Sequence, residues 1–310
     1  MFGLFNRQKQ KSGLLGISFN EQELSLAHVY RGDEGPMLGM CEVIAAETPE
    51  VAVKELTAKV QQAGLQGFSC NFVLSPADYN LLLIEAPAVE ESELAAAAKW
   101  KIRDMIDKPL DQLAVVVFPV AEDAYRNQRK MLYVVAADKV RIDQAVNMVV
   151  EAGLNLEYID IPELAMLNLT SLYLDDSNGV AMLDLRKNGS LLNLCKSSSI
   201  YLTRHLNTQM NDDMMSAYEW GNIRERLVLE VQRSLDYYAS QMRQNHINKL
   251  VLAPRKSDSI QLADQLKEDM GVNVEVMNLE HALGGNPLPL ALQQSCLMAM
   301  GGALKLEMAA

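Results

Sequence analysis

The sequence predicts an α/β protein of two lobes built on one plan. Its 310 residues, 49% of them hydrophobic, suffice for two lobes with their own cores. Short apolar runs ended by proline or glycine alternate with segments of helical periodicity along the chain. Two stretches about half a chain apart begin alike, with an apolar strand, a tight turn and a returning strand: "LLGISFNEQELSLAHV" from Leu14 and "GVAMLDLRKNGSLLNLCKSSSIYLTRHL" from Gly179. The repeat is weak in residue identity and clear in pattern.

The elements follow in order. The first hairpin turns at Phe19-Asn20-Glu21-Gln22. "FSCNFVLSP" and "NLLLIEAP" read as two strands stopped by proline. In "ESELAAAAKWKIRDMI", Leu94, Ala98, Ile102 and Met105 recur at helical spacing, and Pro109 stops the pattern. "LAVVVFPV" and "KMLYVVAAD" are strands. "RIDQAVNMVVEAG" is a helix with Ile142, Ala145, Val146 and Val149 on its apolar face and Gly153 at its end. From Leu154 to Leu174 the chain turns toward a new beginning. There Asn188-Gly189 predicts a type I′ turn between strands Val180 to Arg186 and Leu191 to Cys195, and Ile200 to His205 adds a third strand. "ERLVLEVQRSLDYYASQM" is an amphipathic helix with Leu227, Val231, Leu235, Tyr238 and Met242 on one side. "NKLVLAP" is a buried strand. "SIQLADQLKEDMG" is a helix ended by Gly271, and "VNVEV" alternates as a strand does. "ALQQSCLMAMGGALK" closes the chain as a helix that Gly301-Gly302 should fray or bend.

A net charge of -12 argues against nucleic acid as a partner, since phosphate binding needs a basic surface. No apolar run reaches the roughly 18 residues of a membrane span. The start, "MFGLFNRQKQK", is too short for a secretory signal and has its order reversed, so the chain is expected to stay in the cytoplasm. Cys41, Cys70, Cys195 and Cys296 are never at CxxC spacing, and His28, His205, His246 and His281 are isolated, so neither a disulfide framework nor zinc is expected. GxxxxGK[ST] and GxSxG motifs are absent. Asp212-Asp213 reads as a solvated loop pair.

The order of elements resembles the PilM family of type IV pilus assembly, with "MFGLF" and a basic tail before "LLGI", "ELAAAAKWKIRDMIDKPLDQL", "AADKVRIDQAVNMVVEAGLNLEYIDIPELAMLNL" and "LVLEVQRSLDYYASQ" carrying the likeness. Within it the chain is most similar to the branch serving the mannose-sensitive haemagglutinin (MSHA) pilus. The resemblance implies an actin-like, ribonuclease H-like α/β fold of two lobes with an inserted α/β subdomain in the first. Its divisions are a flexible tail over 1–12, a first lobe over 13–85, an insert over 86–159 and a second lobe over 160–310.

The resemblance also implies where a nucleotide would bind, and each of three segments departs from the pattern. The first hairpin usually reads G-I-D with a small polar turn. Here it is Gly16-Ile17-Ser18, then Asn20, and the carboxylate that would hold magnesium through water is missing. Glu21 and Glu23 stand where carboxylates would repel phosphate. The second hairpin, expected as D-I-G, is Asp184-Leu185-Arg186, so the bulk of Arg186 replaces the glycine that lets backbone N–H groups approach phosphate. The third segment, expected as a Gly-Gly turn, is Ala253-Pro254-Arg255, and Pro254 has no N–H. Bound ATP with magnesium is therefore not expected, and the chain reads as a pseudo-ATPase.

What the resemblance leaves is a docking role. The partner would be the cytoplasmic tail of a PilN-like bitopic inner-membrane protein, captured beside the insert with Trp100 as a lining residue, which would hold the chain peripherally at the bacterial inner membrane. Contact with the assembly ATPase and a homodimer are further partners the family admits. Two rival classes stay open: a nucleotide-regulated ATPase of the same fold, and a filament-forming scaffold resembling FtsA.

Overall fold

The computed structural model describes residues 12–305 except 21, 34, 126–129, 174–177, 188, 212–213, 217 and 285–286. The expected tail over 1–12 falls almost wholly outside the described residues, as do Glu21, Asn188 and the Asp212-Asp213 pair.

Two five-stranded sheets share one topology. In the first, β1 (Leu14–Phe19), β2 (Glu23–Gly32) and β3 (Gly35–Ala45) form an antiparallel meander, and β4 (Ser69–Val73) and β8 (Asn155–Asp160) add in parallel, in the order β3-β2-β1-β4-β8. In the second, β9 (Val180–Asp184), β10 (Ser190–Lys196) and β11 (Ser199–Leu206) repeat the meander. Strands β12 (Lys249–Leu252) and β13 (Asn273–Val276) add in parallel, in the order β11-β10-β9-β12-β13. The pattern repeat seen in the sequence is thus a repeat of topology. A third, antiparallel sheet, β5-β7-β6, holds β5 (Tyr79–Glu85), β6 (Leu113–Pro119) and β7 (Met131–Asp138).

Local chemistry sets the helices. In α1 (Pro49–Ala63), Thr48 Oγ1 accepts from Val51 N, proline opens the helix and Gly64 ends it at φ +66°. Helix α2 (Leu94–Lys101) covers one face of the third sheet through Ala98 and Ile102, which pack with Ile84, Leu132 and Val134. It stops earlier than the periodicity predicts: Arg103–Met105 is a 3-10 turn and Met105 is exposed. Asp138 caps α3 (Lys139–Glu151), which buries Ala145, Met148 and Val149. Next come α4 (Pro162–Thr170), α5 (Trp220–Ser240), α6 (Ser259–Met270), α7 (Leu279–Leu283) and α8 (Leu290–Ala303). The face predicted for α5 is buried from Leu227 to Tyr238.

Two expectations need correction. The insert is the third sheet with α2, so it begins near Tyr79, whereas α3 and β8 return to the first lobe. The division at 86–159 fails because β8 pairs in parallel with β4, a long-range contact that the short segment "NLEYID" does not advertise. The Asn188-Gly189 turn falls on a residue outside the described ones, while Ser197 and Ser198 between β10 and β11 take φ of +49° and +60°, the pair of positive values a primed turn needs. Finally, Gly301 and Gly302 do not fray α8, which runs on through both to Ala303. A Cβ on Gly301 would lie 2.3 Å from the Ala165 carbonyl oxygen, and one on Gly302 would lie 2.8 Å from Val73 Cγ2. The glycines let α8 lie against α4 and the first sheet at once, so the last helix among the described residues packs on the first lobe.

Candidate functional site

Each candidate nucleotide segment sits at the carboxyl end of a strand. On β1, Gly16 pairs with Ala27 of β2 and Asn71 of β4. A Cβ there would lie 1.8 Å from the Ala299 carbonyl oxygen, so Gly16 serves the seat of α8. Ser18 is half-buried where the strand ends. The Asn20 side chain is occupied inside its own turn, accepting from Gln22 N at 3.0 Å and Glu23 N at 2.9 Å.

The other two segments come together. Strands β9 and β12 run in parallel, and Ala253 N donates to the Leu183 carbonyl at 2.8 Å. Asp184 is buried, and Arg186 Nε donates to its Oδ2 at 2.5 Å. The carboxylate a metal would need is thus paired by the residue standing in for glycine. Pro254 is buried beside it. Arg255, only 1% exposed, sends Nη1 to the Leu185 carbonyl at 3.1 Å and Nη2 to the Asn211 carbonyl at 2.8 Å, and its N–H donates to Ser259 Oγ at 2.9 Å. A buried arginine therefore threads beneath the second hairpin loop. An acceptor-lined site for a guanidinium is the reverse of a donor-lined site for phosphate, although Arg186 Nη2 is buried there with no hydrogen-bond partner. Among the described residues no three His, Cys, Asp or Glu side chains gather as metal ligands would.

Trp100 stands apart from both clusters. It is 68% exposed on the outer side of α2, while α2 covers the sheet face turned away from the lobes. Its role as a lining residue of a groove beside the insert finds no support in this geometry.

A groove does exist, on the opposite face of the insert. It measures about 320 Å³ and runs between the third sheet, at Leu81, Leu83 and Tyr133, and β11, at Thr203 to His205. The junction of the insert with the first lobe is closed instead: Tyr79, Val135 and Ala137 share a core with Ala145, Met148 and Val149 of α3.

Below the groove lies a buried polar network that sequence reasoning missed. Glu163, at the start of α4, is fully buried. Tyr79 Oη donates to its Oε2 at 2.6 Å, and His205 Nε2 donates to its Oε1 at 2.7 Å. The Glu163 carbonyl accepts from Asn193 Nδ2 at 2.9 Å, and Asn193 Oδ1 accepts from Thr203 Oγ1 at 2.7 Å. The hydrogen bond to Glu163 holds the His205 pKa above its usual 6.5. Burial, and then Glu163, push the Tyr79 hydroxyl well above 10, so it stays a donor. One carboxylate thus joins the insert, the crossing helix and the second lobe. Its only trace in the sequence is a glutamate inside the apolar stretch "IDIPELAML".

No protein-family profile matches the chain, and no curated protein does. Solved structures do. A chain of the PilM–PilN type IV pilus biogenesis complex is similar over 95% of this chain and 98% of its own, at 20% identity and a TM-score of 0.72. A Bacteroides thetaiotaomicron protein of actin-like ATPase fold and unknown function is similar over 89% and 96%, at 13% identity and a TM-score of 0.50. The cytoplasmic domain of EpsL, an inner-membrane component of the Vibrio cholerae type II secretion system, is similar over 78% and 82%, at 14% identity and a TM-score of 0.49. Twin sheets of one topology, two helices lying between them and likeness over nearly the whole chain lead to one conclusion: this chain has the actin-like fold.

Proposed function

We propose that the chain is a cytoplasmic platform component of a type IV pilus assembly machine, of the MSHA type served by the MshI branch of the PilM-like family. It docks the cytoplasmic tail of a PilN-like inner-membrane protein and is held at the inner membrane by that partner. It is a pseudo-ATPase, with the actin-like frame retained as scaffold. Among the described residues no helix is long and apolar enough to cross a membrane, which accords with attachment through a partner.

The observation that carries the reading is the second-lobe cluster. Asp184 is matched by Arg186 of the same hairpin, and Arg255 fills the space beneath the loop with a guanidinium bonded to two carbonyls. A site stabilised by its own side chains gains nothing from a nucleotide. The likeness to the PilM–PilN structure along both chains supports the assignment to pilus assembly. The competing reading, a nucleotide-regulated ATPase, rests on Asp184 alone.

Calorimetry tests this. Magnesium-ATP is expected to give no saturable heat, whereas a peptide copying the PilN-like partner's tail is expected to bind. Saturable ATP binding with a Kd near or below roughly 100 μM, about -5.5 kcal/mol, would overturn the pseudo-ATPase reading.

A further inference from the structure

We propose that two copies of the chain pair edge to edge through β6, antiparallel about a two-fold axis at Val116, so that their inserts form one six-stranded sheet. This pairing does not depend on the docking role proposed above.

The strands at the sheet edges are β3, β8, β11, β13, β5 and β6. An exposed edge invites pairing with another chain, and charges or bulges blunt it. The first five each carry a charged residue: Glu42 in β3, Glu157 in β8, Arg204 in β11, Glu275 in β13 and Glu85 in β5. Strand β6, "LAVVVFP", carries none, and its register against β7 has no bulge. At its centre Val116 is 60% exposed.

The main chain of this edge complements itself. Val120 N donates to the Met131 carbonyl at 3.1 Å, so Val120 faces β7. Main-chain directions alternate along an antiparallel pair. Ala114, Val116 and Phe118 therefore face β7 too, and Leu113, Val115, Val117 and Pro119 face outward. Both ends of the outward row are stopped: the Leu113 carbonyl accepts from Lys99 Nζ at 3.2 Å, and Pro119 has no N–H. Between them, the main-chain groups of Val115 and Val117 make no outward hydrogen bond among the described residues. An axis at Val116 sets Val115 against the partner subunit's Val117, and Val117 against the partner subunit's Val115. Each pair exchanges both of its N–H···O bonds, and the stopped ends fall opposite one another. Val116 meets its own copy at a non-hydrogen-bonded position, where Cα atoms are about 4.5 Å apart and side chains come closest. Two such short strands bury less than the roughly 1,200 Å² of a stable interface, so the dimer is weak and forms with rising concentration.

The test is analytical ultracentrifugation of the full chain from about 1 to about 200 μM in about 0.15 M salt, which screens repulsion between two exposed surfaces of like charge. The mass is expected to climb from one chain toward two. Val116→Lys sets two ammonium groups against each other across the axis and is expected to weaken the dimer by about tenfold or more, with circular dichroism unchanged. Val116→Cys is expected to yield a reducible dimer on mild oxidation, because about 4.5 Å between Cα atoms is within reach of a disulfide. Ala114→Cys stands about 13 Å from its own copy and is expected to give none, like the wild type. The cross-link keeps the test decisive if Val116→Lys fails to fold. A monomer at every concentration overturns the proposal, and so does a dimer that Val116→Lys leaves as tight as before. Cross-linking through Ala114→Cys in place of Val116→Cys overturns the axis.

Discussion

At the scale of single residues, position in the sequence and purpose in the fold part company. Gly16 stands where a nucleotide-binding glycine is expected, yet its missing side chain makes room for the Ala299 carbonyl. Gly16→Ala should therefore lower stability by about 3 kcal/mol or more, since the clash is with backbone that cannot rotate away. Urea denaturation measures this, and a variant as stable as the wild type would return Gly16 to a ligand role. Asp184 was legible as a match to a pattern and Arg186 as a departure from it; that they pair with each other was not, because only the fold shows which way both side chains turn. Glu163 and His205 were less legible still, lying 42 residues apart with no motif between them. Their pairing has a pH signature. His205 has a raised pKa in the folded state, so its contribution is complete below about 6.5 and fades as pH rises through the folded value. The stability difference between wild type and His205→Gln should be largest below pH 6.5 and shrink above it. Because the His205 side chain is 45% exposed, solvent screening limits the effect to about 1 kcal/mol. Burial lowers the His28 pKa and works the other way, but it cancels in the difference. A difference that grows with pH would sink the assignment.

At the scale of elements, periodicity was a sound guide wherever one face is buried. Helices α3, α5 and α6 and strands β5 and β6 follow their patterns because each has a wet side to contrast with, whereas β4 and β7 are buried on both faces and were legible as short apolar runs. It failed at both extremes. Residues 35–63 drew no prediction, although Thr48-Pro49 ahead of Ala52, Leu56 and Val60 is a capped amphipathic helix in plain view. Helix α8 is the opposite case, apolar on every side from Cys296 to Leu304 because it is wrapped on every side. Its glycines then look like flaws when they are contacts. Gly301→Ala is expected to cost about 1–3 kcal/mol, whereas an ordinary helix interior would gain about 1 kcal/mol from the same change. The sign of the shift in Tm decides between packing and propensity. Trp100→Ala, on the exposed side of α2, is expected to stay within about 0.5 kcal/mol of the wild type.

At the scale of the whole molecule, chain order and spatial order differ. The sequence divides naturally near residue 160, between two halves of one pattern, and the two sheets respect that division. The helices do not. Helix α8 covers the first sheet: Asn71 Nδ2 donates to the Gly302 carbonyl at 3.0 Å, and Lys305 Nζ reaches the buried Asp160 carboxylate at 2.6 Å. Ser25 Oγ donates to the Ser295 carbonyl at 2.9 Å, which ties β2 to the same helix. One core runs from Ala27 and Val73 through Ala165 and Met166 to Leu297, Met300 and the second sheet. Neither half can bury its own apolar face. A fragment of 1–159 lacks the cover of α4 and α8, and a fragment of 160–310 presents α8 with no sheet to lie on. Each fragment alone should be aggregated or molten, with apolar dye binding and a broad melt. The two expressed together should assemble into a particle that melts once, because the missing surface of each is the other. A soluble 1–159 fragment with a sharp unfolding transition would show instead that the lobes are separate folding units. That would remove the reason for reading the two-lobed frame as one rigid unit.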